Sequence, residues 1–278
     1  MRRVIPGSRI LITGASSGIG HALAGLVAEA GARVAIAARS TDKLDDLARE
    51  LTRRTGAEVL SVTADITSEA DRGRLLDTVV DHFGGLDVLV NNAGVASFGH
   101  FSSSSEEVMR RVMEVNFFAP AELIRAAIPH LTEGHQPAIV NVSSMCGRRG
   151  VPAWSEYSAS KYALVGLTEA LRGEMARFDI DVLLRVPGLT KTNLRANLLH
   201  NTGRMKIDFD QGMPPEEVAQ AILTSLERNR TEAVVGWEAK WILRLNRWMP
   251  RLVDRLMNRR VKKLYAAESA TGEMDKAS

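Results

Sequence analysis

A chain of 278 residues, 45% apolar and 25% charged, has the composition of a folded protein with a sizeable core, which excludes a disordered or fibrous class. Its single cysteine, Cys146, excludes an internal disulfide framework and fits a reducing compartment, and its six histidines show no metal-ligand clustering, so no metal site is expected. The net charge of +3 is mild, and no run of about eighteen apolar residues reads as a membrane-spanning helix. Met1 to Ser8 carries Arg2 and Arg3 but no signal-peptide core, so a cytoplasmic location is expected.

Short β-branched runs alternate with helical patterns along most of the chain. Arg9–Thr13, Arg33–Ala38, Glu58–Thr63, Leu86–Asn91, Ala138–Ser143, Ile180–Val186 and Glu232–Val235 read as strands. They are apolar on both faces, as a parallel sheet covered by helices on each side requires. Gly18–Ala30, Lys43–Arg54 and Ala70–His82 read as helices, and Ser104 with Glu107 reads as a capping box opening the helix that runs toward Asn116. The order predicts an α/β fold, one Rossmann-type doubly wound parallel sheet in a single domain over residues 1–236. Asn201–Pro215 is read as a mobile loop, and residues 237–278 as a basic amphipathic helical extension.

Thr13-Gly14-Ala15-Ser16-Ser17-Gly18-Ile19-Gly20 follows the first strand and opens the first helix. Gly14 suits the tight turn, Gly18 lets backbone approach a pyrophosphate, and Gly20 lets helix pack close on strand, with the helix N-terminus facing the phosphates. Glycine spacing alone is weak evidence; its place between strand and helix is what points to a nucleotide. Where an acid would grip the 2′-hydroxyl of NAD, this chain has Ala38 and Arg39, suited to the 2′-phosphate of NADP, with a solvated surface arginine as the bland alternative. Asp65, with Ile66, follows the third strand and can accept from the adenine amino group. Asn91-Asn92-Ala93-Gly94 closes the fourth strand beneath the middle of the cofactor.

Tyr157-Ser158-Ala159-Ser160-Lys161 opens a later helix, and the i, i+4 spacing puts Tyr157 and Lys161 on one face. A phenol is a poor proton shuttle near neutral pH, and an adjacent ammonium together with the positive nicotinamide of the oxidised cofactor is expected to bring Tyr157 toward the working range. Ser144, ending the fifth strand, can donate to a substrate oxygen held near Tyr157.

Over about residues 8 to 236 the chain resembles the short-chain dehydrogenases/reductases, in Thr13–Gly20, Asn91–Gly94, Asn116, Ser144, Tyr157–Lys161 and Pro187-Gly188 with Thr192. The resemblance implies a catalytic tetrad of Asn116, Ser144, Tyr157 and Lys161. In it Lys161 also binds the nicotinamide ribose and Asn116 holds a water in a proton relay. It implies that Pro187, Gly188, Thr190 and Thr192 line the nicotinamide and diphosphate, and that the chain forms a homodimer or homotetramer. One departure stands out: Arg185 occupies a sixth-strand position that is usually apolar, so it must pair, reach solvent or destabilise the chain.

The expected function is NADPH-dependent reduction of a ketone or aldehyde. NAD-linked alcohol oxidation, or a non-catalytic nucleotide sensor, are the alternatives. Leu194–Met213, with Leu198, Leu199, Met205 and Phe209, is expected to cover an apolar pocket for a small lipophilic carbonyl compound. Between Trp237 and Leu264, nine Lys/Arg stand against Glu238 and Asp254, a net +7. No aromatic platform or groove-reading motif marks it for nucleic acid. Trp237, Trp241, Leu245, Trp248, Leu252 and Leu256 recur at helical spacing beside Arg244, Arg247, Arg251 and Arg255, with Pro250 placed to kink or divide the helix. Residues 237–264 therefore suit either an anionic membrane surface or a protein face such as the substrate pocket or a partner subunit.

Overall fold

Short strands, apolar on both faces, set the architecture of the computed structural model, which describes residues 3–192, 194, 198–203 and 211–269. The first half runs β1 (Arg9–Thr13), α1 (Gly18–Glu29), β2 (Arg33–Ala38), α2 (Thr41–Thr55), β3 (Val59–Thr63), α3 (Glu69–Phe83) and β4 (Val88–Asn91). The second runs β5 (Ala96–Phe98), α4 (Glu106–Met113), α5 (Ala119–Thr132), β6 (Ala138–Val142), α6 (Ser155–Met175), β7 (Asp181–Pro187), β8 (Leu198–Asn201), α7 (Pro215–Glu227) and β9 (Glu232–Val235). Two helices follow, α8 (Trp237–Trp248) and α9 (Pro250–Ser269). Seven strands form one sheet in the order β3-β2-β1-β4-β6-β7-β9, each pair parallel. The order reverses between β1 and β4, and the crevice at their carboxyl ends is where such sheets take ligands.

Alternate residues of each strand serve opposite layers. Ile10, Ile12, Val34 and Ile36 pack against α1, α2 and α7. Leu11, Ala35, Ala37 and Leu89 pack against α3, α5 and α6. Each fully buried Leu or Ile contributes about 1.5–3 kcal/mol, so both faces of the sheet are strongly specified.

Four local features depart from, or refine, the sequence expectation. The cap of α4 is Ser105, whose Oγ accepts from Val108 N–H at 3.3 Å, not Ser104. The Ser104 N–H belongs to the preceding turn through His100 and Phe101 carbonyls, which shifts the cap by one residue and leaves Glu107 out of capping-box register. Asn116 lies in a π-helical turn, Glu114–Phe118, joining α4 to α5. β5 and β8 form a small separate parallel pair that the sequence pattern did not predict. Pro250 does divide the extension, with Met249 as the break.

Arg185 is 0% exposed, on the α7 side of β7. It pairs with carbonyls and not with a carboxylate: Nη1 donates to Leu184 O at 2.7 Å, and both Nη1 and Nη2 donate to Arg230 O at 3.0 Å. Its Nε has no partner among the described residues. Burial, with repulsion from Arg172, Arg3 and Arg230, pulls its pKa down to about 10, so it stays charged at neutral pH.

Candidate active site

The turn after β1 is built by glycines for three distinct reasons. Gly14 has φ +68°, and a Cβ there would lie 2.7 Å from Ala93 Cα. Gly20 has no room because a Cβ would meet the Gly14 carbonyl oxygen and Asn92 Nδ2, each at 2.5 Å. Gly18, with φ +59°, faces Thr192, whose Cγ2 would be 3.2 Å from an added Cβ. Asn92 latches this turn to β4 by donating from Nδ2 to the carbonyls of Thr13 (3.0 Å) and Gly14 (3.2 Å). Thr13 Oγ1 in turn accepts from the N–H groups of Asn92 and Ala93. The Ser17 side chain leaves the N-terminus of α1 uncapped, whereas Ser68 and Ser105 cap α3 and α4. Free N–H groups at a helix start, beside a glycine that lets a ligand approach, suit a diphosphate.

Asn91 ties scaffold elements together. Its Nδ2 donates to Asn141 Oδ1 at 2.9 Å, and Asn141 donates to Thr168 Oγ1 at 2.9 Å, joining β4 and β6 to α6.

The four predicted catalytic side chains converge on one end of α6. Ser144 follows β6 and accepts from Cys146 N–H at 3.2 Å. Hydrogen bonding between the Ser144 hydroxyl and the Tyr157 phenol works to lower the tyrosine's pKa. Lys161 donates from Nζ to Val142 O at 3.0 Å. Asn116 does not reach the cavity wall itself. Its Oδ1 accepts from Val95 N–H and its Nδ2 donates to Val95 O and Ser160 Oγ, all at 2.9 Å. A Cβ on Gly94 would be 3.1 Å from Asn116 Oδ1 and 3.6 Å from Lys161 Nζ. Both amide hydrogens of Asn116 are thus committed, and one Oδ1 lone pair remains.

Burial pushes the Tyr157 phenol well above its ordinary pKa, outweighing the opposing hydrogen bond to Ser144. Tyr157 is therefore held in its protonated form at neutral pH. Burial also pulls the Lys161 pKa down to about 8, so its ammonium stays charged at neutral pH. Burial likewise pushes the Cys146 thiol up to about 11, so it is an unreactive neighbour of the site.

These groups open on a cavity of about 790 Å³. Ser17, Gly18, Ile19, Asn92 and Gly94 line it together with Ser144, Tyr157, Lys161, Pro187, Gly188, Thr190 and Thr192. Gly14 and Ser16 of the turn after β1, Gly20 of α1 and Ala93 after β4 lie outside the cavity lining. Arg39, Asp65 and Ile66 stand outside the cavity, at the carboxyl ends of β2 and β3. Arg39 is exposed, while Asp65 Oδ1 accepts from Thr67 N–H and Oγ1. Arg111 of α4, missed in the sequence, lies 3.7 Å from Asp65 Oδ2.

Sequence reasoning also missed the aromatic wall. Trp154 packs edge-on to Tyr157 at 5.5 Å and tilts against Phe98 at 5.1 Å. Cys146, Leu194 and Leu198 pack with them. Leu199, by contrast, is 41% exposed, and Met205 and Phe209 lie outside the described residues. Part of the expected covering comes instead from the extension, whose Glu238, Met257, Arg260 and Val261 line the mouth. Arg149 ties α9 there through Asp254 Oδ1 at 2.5 Å.

Comparison with known proteins agrees with this arrangement. The family model described as short chain dehydrogenase matches residues 8–203. The protein named Uncharacterized oxidoreductase YxnA, of Bacillus subtilis (strain 168), is 38% identical over 254 residues, covering 90% of this chain and 71% of that one. A short chain dehydrogenase/reductase from Burkholderia phymatum, solved in complex with NAD, superposes with a TM-score of 0.81 at 26% identity, over 90% of this chain and 96% of that one. A short-chain dehydrogenase from Sphingobium yanoikuyae, solved in complex with NADPH, gives a TM-score of 0.73 at 27% identity, over 98% of both chains. The chain belongs to the short-chain dehydrogenase/reductase family and is an NAD(P)-dependent oxidoreductase.

Proposed function

We propose that this protein reduces a lipophilic ketone or aldehyde to the alcohol with NADPH. The observation that carries the reading is the Tyr157 phenol set with Ser144 and Lys161 on one cavity, against an apolar wall of Trp154, Cys146 and Leu194. A phenol serves hydride transfer in either direction, and the cofactor preference read from Arg39 favours reduction. Arg39 at the end of β2, with no acid in its place, supports NADPH over NADH. Exposed Phe118 and Tyr162, before α5 and on α6, support a homodimer or homotetramer formed through those helices.

The cofactor supplies a hydride to the carbonyl carbon. Ser144 donates to the carbonyl oxygen and holds it toward Tyr157, whose Oη gives up its proton as the C–O double bond becomes an alcohol. Solvent returns that proton to Tyr157. Lys161, charged below pH about 8, steadies the negative charge left on the phenolate and binds the nicotinamide ribose. Asn116 acts one layer back, fixing the Gly94 loop and Ser160. A panel of aliphatic, aromatic and steroid-like carbonyl compounds, followed by loss of NADPH absorbance, tests the reading. Turnover with at least one apolar ketone and faster rates with NADPH than NADH are expected. Turnover only with NAD and alcohols would overturn it.

A further inference from the structure

We propose that the outer face of α8 and α9 docks the protein onto a lipid bilayer surface rich in anionic headgroups. The two helices lie across the cavity mouth, with Ala239 and Val253 buried beneath them. The opposite face is left to solvent with an unusual content. Trp237, Trp241 and Trp248 are 71%, 63% and 80% exposed. At 100° per residue they fall within about 40° of one another, a single stripe along α8. Leu252 and Leu256 extend the exposed apolar surface onto α9.

Cations flank the stripe throughout. All nine Lys/Arg between Trp237 and Leu264 are exposed, from Lys240 to Lys263. Asp254 is already engaged by Arg149, and among the described residues none of the nine forms an ion pair with a carboxylate. Arg244 instead lies over the Trp241 ring at 5.9 Å. Tryptophan and leucine set among uncompensated arginine and lysine match the interfacial zone of a bilayer, where rings sit at headgroup depth and cations meet phosphates.

The charge selects among the possible occupants. A second copy of the chain meeting this face by two-fold symmetry would bring two +7 surfaces together, which like-charge repulsion disfavours. No helix among the described residues is long and apolar enough to cross a membrane, so the contact is with the surface. An apolar cavity beneath the same two helices would then open next to the phase in which lipophilic carbonyl compounds collect. Docking does not depend on that consequence, and its test reads lipid binding without turnover.

The full chain is sedimented with vesicles of phosphatidylcholine alone and with vesicles one-third phosphatidylglycerol. Binding at least about tenfold stronger to the anionic vesicles is expected, falling about tenfold as salt rises from low to several hundred millimolar. Tryptophan emission should shift to the blue on binding, because Trp154 is already buried and the other three are exposed. The variant W237A/W241A/W248A should lose the binding and keep its turnover of a water-soluble carbonyl compound. R244E/R251E/R255E offers a second route should that variant misfold, and it should lose only the anionic preference. Equal retention on both vesicle types, or none on either, would overturn the proposal. So would a wild-type dimer that the tryptophan variant turns to monomers, or retention by duplex DNA in place of lipid.

Discussion

The ammonium of Lys161 stands 5.8 Å from the centroid of the Tyr157 ring, one helical turn further along α6, and is fixed there by its bond to the Val142 carbonyl. Burial shifts the two groups in opposite senses, Tyr157 upward and Lys161 down to about 8. The tyrosine then keeps its proton across the neutral range, while the lysine loses its charge as pH rises through about 8. For the free enzyme, kcat/KM for carbonyl reduction should be level below that value and fall above it. Lys161→Met should abolish the falling limb and lower the rate by about 10²–10⁴-fold. A profile level from pH 7 to 9.5 in the unsubstituted enzyme would contradict this.

Arg39 follows β2, is exposed, and lies close enough to Asp65 to help lower that carboxyl's pKa. Arg39→Asp should lower kcat/KM with NADPH by about 10–100-fold, the worth of one or two charge-assisted hydrogen bonds, and raise it with NADH. Steady-state kinetics with both cofactors checks it; an unchanged ratio would return Arg39 to an ordinary surface residue.

Gly20 is closed in by the Gly14 carbonyl and by Asn92, so Gly20→Ala forces backbone apart and should cost about 1–3 kcal/mol. Gly18→Ala meets only a threonine methyl at 3.2 Å, though in a left-handed conformation. It should fold, with a smaller fall in Tm, and lose cofactor affinity. Calorimetry paired with a NADPH titration separates the two outcomes.

Among the described residues Arg185 forms no ion pair with a carboxylate, and repulsion from Arg172, Arg3 and Arg230 opposes its attraction to Glu232. Replacing a buried charge by an apolar side chain of similar length often stabilises. Arg185→Met should therefore raise Tm at neutral pH without changing turnover. A fall of several degrees would mean that its bonds to the Arg230 carbonyl outweigh the burial of its charge.

The sheet was legible in the sequence because its interior strands are apolar on both faces, and the predicted ends of β1, β2 and β9 match the structure. The glycine turn, Ser144, Tyr157 and Lys161 were legible because a strand, a turn and a helix start each constrain residue type locally. What stayed hidden depends on distant packing. Three residues, Ala96–Phe98, are too few to show a period, so the β5–β8 pair left no signal. Trp154 joined the site through contacts with Phe98 and Tyr157 that no spacing reveals. Met257, Arg260 and Val261 reach the mouth only because α9 folds back over it. The burial that shifts Tyr157 up and Lys161 down was hidden too, because sequence does not report burial.

In the proposed reduction Tyr157 is the proton donor. Tyr157→Phe keeps the ring that packs on Trp154 and removes only the hydroxyl, so turnover and NADPH affinity are measured together on that variant. Loss of turnover by at least about 10²-fold, with the Kd for NADPH changed less than about threefold, is the expected result. Reduction continuing at a comparable rate, with the cofactor still bound, would contradict it.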